Sequence, residues 1–160
     1  MIINDRRTGE KLMEIPGETL VGRDLSKFEL RYADLSDLDL SLCNFEGADL
    51  EGAQFSNSIL TEAVMTGCNL SEAIFTRITA PRAMFNKTKL SMTAFSYAIL
   101  EEADFSEIVV DGMVNFRWIK AHRSKFRNIK NLNGANFFDA DLTDADLKGS
   151  DLLQVSESER

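Results

Sequence analysis

The chain has a single histidine, His122, and two cysteines, Cys43 and Cys68, in 160 residues. A Ser–His–Asp hydrolase would rest wholly on that one imidazole. It sits among Lys120, Arg123 and Lys125 and reads as a surface side chain. No glycine-rich phosphate loop, HExxH, CxxC or nucleophile elbow is present. The sequence therefore names no enzyme class, no cofactor and no metal. "DADLTDAD", at 139 to 146, is rich in aspartate but is not a calcium loop. With Asp139 as loop position one, Asp144 stands where glycine is needed and Ser150 where glutamate is needed. No apolar run is long enough to cross a membrane as a helix. "MIINDRRTGEK" has no apolar signal core, which makes cytoplasm the default location.

What is present is a period of five. In "CNFEGADLEGAQF" the large apolar residues are Phe45, Leu50 and Phe55, each with a small residue two before it. Five residues turn a helix by about 500°, so these positions would spiral around it. A strand alternates with period two, so an odd spacing sends successive residues to opposite faces. The chain must change direction inside every repeat, which is the mark of a solenoid. The core centres run through Leu35, Leu40, Phe45, Leu50, Phe55, Leu60, Leu70, Phe75, Phe85, Leu90, Phe95, Leu100 and Phe105. One extra residue enters between Val110 and Phe116 and another before Leu132. The frame then resumes at Phe137, Leu142, Leu147 and Leu152. Cys43 and Cys68 fall at the small position, as buried free thiols. Asp or Asn often precedes the centre and Ser, Thr or Glu often follows it, side chains that favour turns.

"ADLSDLDL", "CNLSEAIF" and "GANFFDADLTDADLKGSDL" resemble the pentapeptide-repeat family, whose unit is A(D/N)LXX. The resemblance implies an all-β fold, a right-handed quadrilateral β-helix of about 6.5 coils with four pentads per coil. At a spacing of ~4.8 Å the rod would be roughly 30 Å long. Residues 2–15 read as a β-hairpin turning at Arg7-Thr8-Gly9, which gives an N-terminal cap over 1–16. The repeat array then occupies 17–155, and "SESER" at 156–160 is a frayed tail.

Two irregularities bear on function. The net charge is −8, but residues 56–130 hold 7 acids and 10 bases. The bases concentrate in "RWIKAHRSKFRNIK", a candidate interaction belt of Arg117, Trp118, Lys120, Arg123, Lys125 and Arg127. The bland alternative is a solvated coil whose bases face acidic neighbours. Second, the residue before the centre turns apolar in mid-chain, at Ile59, Val64, Ile74, Met84, Ala94, Ile99 and Val109, a potential dimer contact.

These features favour a non-enzymatic interaction or scaffold rod with an unassigned protein partner, as a monomer or weak homodimer, without membrane or direct nucleic-acid binding. The alternative, implied by some family members, is a DNA mimic that binds DNA gyrase or topoisomerase IV and modulates quinolone action. The acidic ends suit it. The basic middle does not, nor does the expected absence of a projecting loop and of an apolar helix after the last coil.

A charge at a core centre tests the frame directly. Leu50→Asp is expected to destabilise the chain by about 4 kcal/mol or more in urea unfolding. Asp49→Asn changes it little.

Overall fold

The computed structural model describes residues 1–151. The centre Leu152 and the tail at 156–160 lie outside them. The fold is all-β, built from very short strands and one 3-10 turn, with no α-helix among the described residues. None of its elements is long and apolar enough to cross a membrane as a helix.

Strands β1 (Ile2–Asn4) and β2 (Lys11–Glu14) form an antiparallel hairpin. It docks on the first coil, where the Asn4 carbonyl accepts the Asp34 amide at 2.8 Å and Asp5 pairs with Ala33. Ile3, Met13 and Ile15 extend the core beneath it.

The rest of the rod is held by parallel rungs in four columns. One runs Asp24, Asn44, Val64, Met84, Asp104, Lys125, Asp146. The next runs Asp49, Asn69, Lys89, Val109, closing with β3 (Lys89–Leu90) against β5 (Val109–Val110). The third runs Asp34, Gln54, Ile74, Ala94, Asn115, Asn136 and includes β4 (Thr93–Ala94), β6 (Val114–Asn115) and β7 (Ala135–Asn136). The fourth runs Asp39, Ile59, Thr79, Ile99, Lys120, Asp141. Partners lie 20 residues apart before the first inserted residue and 21 apart after it. The second insertion is absorbed by the 3-10 turn at Leu132–Gly134. Gly134 is needed there, because a Cβ would stand 2.0 Å from the Gly112 carbonyl oxygen.

Inside, every centre from Leu35 to Phe105 that the period picks out is fully buried. Phe55, Phe75, Phe95, Phe116 and Phe137 form one stack, with successive ring centroids 4.6–5.1 Å apart. Phe85, Phe105 and Phe126 form a second. The two stacks meet edge to face, as between Phe85 and Phe95 at 5.5 Å. Edge-to-face and offset pairs both suit the aromatic quadrupole. Phe137, Leu142 and Leu147 are only half-buried, since no described residue stacks beyond their coil.

The small position has a second use. Cys43, Ser58, Cys68 and Thr93 are buried, and each donates to a core-centre carbonyl of the preceding coil, at 2.6–3.0 Å. Burial pushes the Cys68 thiol up to about 12 and raises Cys43, so both thiols stay protonated donors.

The Asp or Asn before the centre caps the turn that follows it. Its Oδ1 accepts the amide two residues on, in Asp24 to Ser26, Asp39 to Ser41, Asn69 to Ser71 and Asp141 to Thr143. The turns from Gly47 to Glu107 then each place a left-handed residue two after the centre. Glycine fills that position at Gly47, Gly52 and Gly67, but ordinary residues such as Asn57, Glu72, Arg82 and Glu102 are held there at φ of 56–61°. A β-branched residue tolerates that conformation poorly. Glu72→Val is expected to cost about 1–2 kcal/mol and Glu72→Gly almost nothing, both read from urea midpoints.

Candidate functional site

Two after the centre is also a corner of the coil, and it is exposed in most pentads. Residues that occupy it in successive coils stand one above another. On the corner between the third and fourth columns these are Arg77, Tyr97 and Trp118, followed by Asp139. Tyr97 and Trp118 are stacked, with centroids 4.8 Å apart and planes at 9°. The Arg77 guanidinium lies over the outer face of Tyr97 at 5.7 Å. Arg117 lies over Trp118 at 4.1 Å and over Phe138 at 5.1 Å, and Phe138 meets Trp118 edge-on. The indole N–H donates to Asp139 at 3.2 Å. Tyr97 and Phe138 are each 48 % exposed. The result is an aromatic and cationic edge along the outside of the rod. Ile74 and Ala94 flank it on one side, and Ile59, Thr79 and Ile99 on the other.

The six belt residues occupy one coil but separate into two groups. Arg123 pairs with Glu102 at 2.7 Å, Lys125 with Asp104 at 3.5 Å and Arg127 with Asp146 at 2.6 Å. All of these acids belong to the coils above and below. Arg117, Trp118 and Lys120 lie on or beside the aromatic edge. Neither Arg117 nor Lys120 has a carboxylate partner among the described residues, and Arg117 Nε is buried without a hydrogen-bond acceptor. The sequence reading picked out Arg117 and Trp118 but missed Arg77, Tyr97 and Phe138. Their signal was the offset: 20 residues from Arg77 to Tyr97, then 21 to Trp118.

The apolar residues of mid-chain do not make one patch. They are dealt over all four columns, with Val64 and Met84 on one, Val109 on another, and the remainder beside the aromatic edge. His122 is partly exposed and hydrogen-bonds Asp141 at 2.6 Å. Among the described residues no cluster of His, Cys, Asp or Glu could hold a metal ion.

The His122 bond and the Thr143 hydroxyl and amide hold the Asp141 carboxyl at about 2. A depressed folded value means that the stabilisation is present above the ordinary carboxylate value and is lost as pH falls toward 2. Asp141→Asn is therefore expected to flatten the fall in Tm between pH 4 and pH 2, measured by thermal scans across that range.

The pentapeptide-repeat family model matches residues 39–77 and 115–153, in eight copies. No curated protein matches the sequence. Among solved structures, two trypsin-treated variants of QnrB1, a plasmid-mediated fluoroquinolone resistance protein, superpose with a TM-score of 0.54. They are 16% and 18% identical, over 83% of this chain and 90% and 88% of theirs. HetL from the cyanobacterium Nostoc, a pentapeptide repeat protein involved in heterocyst differentiation regulation, is 24% identical over 84% of each chain, with a TM-score of 0.23. At these identities the likeness to QnrB1 speaks for the fold alone. The repeat register, the two recessed positions and the family match together show this chain to be built of pentapeptide repeats.

Proposed function

We propose that the chain is a non-enzymatic interaction rod that binds a protein partner along the aromatic edge from Arg77 to Phe138. The observation that carries this reading is the ladder of Tyr97, Trp118 and Phe138 with Arg77 and Arg117 on the outside of the rod. The core is filled without any of them. Aromatic and arginine side chains dominate binding energy at protein interfaces. The same reading takes the rod as a right-handed quadrilateral β-helix of about 6.5 coils. It has the hairpin cap at 1–16, the array at 17–155 and the short tail at 156–160. It is cytoplasmic, free of membrane and of direct nucleic-acid contact, and a monomer or weak homodimer.

The second reading, a DNA mimic for DNA gyrase or topoisomerase IV, draws on the net charge of −8 and on the fold shared with a fluoroquinolone resistance protein. A mimic needs carboxylates repeated along a face. Each outward column here loses its acids in mid-rod, at Val64 and Met84, at Lys89 and Val109, at Ile74 and Ala94, or at Ile59, Thr79 and Ile99. That interruption favours the interaction rod.

Capture of partners from native extract, with the wild-type rod and with Tyr97→Ala/Trp118→Ala, tests the first reading. The double variant is expected to lose the captured protein while its unfolding free energy stays within about 1 kcal/mol. Equal capture by both would refute the edge as the binding surface. In a gyrase supercoiling assay with and without a quinolone, the rod is expected to change nothing. Inhibition or drug protection at low concentration would put the mimic in its place.

A further inference from the structure

We infer that the aromatic edge receives an acidic peptide segment, with carboxylates on Arg77, Arg117 and Lys120 and apolar side chains against the ring edges. This rests on the reading of the edge as a protein-binding surface and adds the chemistry of the partner.

Charge complementarity favours an acidic partner. The belt divides cleanly. Arg123, Lys125 and Arg127 are neutralised by Glu102, Asp104 and Asp146. The cations on the edge itself have no carboxylate partner among the described residues, in a chain where acids outnumber bases by 26 to 18. Arg117 is the sharpest case. Its guanidinium is pressed between Trp118 and Phe138, and its Nε is buried without an acceptor. The terminal nitrogens of that guanidinium are not buried and have no carboxylate partner among the described residues, so an incoming carboxylate can pair with the charge there.

The packing of the rings separates a peptide from a nucleic acid. Bases bind sequence-tolerant sites by stacking on free aromatic faces. Here the faces of Tyr97 and Trp118 are taken, and Arg117 lies over Phe138. Tyr97 lies between Arg77 and Trp118, and Trp118 between Tyr97 and the Arg117–Phe138 side. What is offered outward is ring edges, which carry partial positive charge and suit carboxylates and aliphatic groups.

The scale also fits a peptide. Arg77 and Arg117 are two coils apart, about 10 Å, and alternate side chains of an extended peptide are ~7 Å apart, so two acidic residues separated by one or two others reach both. The acidic first coils begin about 10 Å below Arg77, beyond the ~8 Å screening length at physiological salt. The overall negative charge therefore does not prevent a local encounter. Asp139 and Asp141 on the next coil are already engaged, by the Trp118 indole and by His122.

The single tryptophan, Trp118, reports on the edge without a label. The full-length protein is titrated with short soluble peptides of Glu and Leu, of Lys and Leu, and of Ser and Leu, and with oligo(dT), while Trp118 emission is followed at low and high salt. The Glu/Leu peptide is expected to give a saturable shift that weakens with salt. Arg117→Gln and Lys120→Gln, the latter at an exposed position, should each weaken it roughly tenfold, and Arg123→Gln should not, since that charge already belongs to Glu102. Equal binding of all three peptides would overturn the acidic specificity and leave the edge a protein-binding surface. Preference for oligo(dT) would overturn the peptide altogether. If no probe moves Trp118 and extract capture also ignores the edge, this inference and the function it rests on fall together.

Discussion

Most backbone amides in this rod bond to a neighbouring coil about 20 residues away, as Leu35 does to Gln54 and Gln54 to Ala33, and the others close the turn inside their own pentad, as Ala48 does to Phe45. That requirement sets the spacing of everything else. Rungs about 4.8 Å apart leave just the distance at which phenylalanine rings stack, and the core stacks measure 4.6–5.1 Å. The interior is so narrow that one large and one small side chain per pentad fill it. The corners are so tight that a left-handed residue stands in nearly all of them, and an Asp or Asn side-chain oxygen holds the turn wherever one precedes the centre. An inserted residue has to be shared by all the columns, which is why the offset changes from 20 to 21 across the rod rather than at a single rung.

The core was legible from the sequence because its period is short and belongs to each coil alone. Leu50 points inward from its own pentad, and any coil stacked on it completes its burial. The two slips in the frame were legible for the same reason, although the 3-10 turn at Leu132 was not, since it answers to the close approach of Gly134 and Gly112. The surface was a different problem. Whether Arg123 carries a free charge depends on Glu102, 21 residues back, and whether Tyr97 joins Trp118 depends on where the extra residue near Gly112 falls. A search at one fixed period passes over both. Phe138 adds a further obstacle, since it reaches the edge from a different position in its pentad than Tyr97 and Trp118.

The same register explains why charge composition misleads here. Counted along the chain, 117–130 is a block of bases. In the folded rod it lies between acidic coils, and half of the block is consumed by them. Of the remainder, Arg117 has no carboxylate partner among the described residues and lies over the Trp118 and Phe138 rings instead.

The parallel rungs also decide how the rod responds to force. Tension applied at its two ends runs along the rod axis, in the direction of the hydrogen bonds, so it opens one rung after another instead of shearing many at once. A released coil of 20 residues lengthens the chain by about 65 Å, from a rise of ~4.8 Å to a contour near 70 Å. Such a rod gives way in small, repeated steps at modest load, and works as an extensible spring rather than a strut.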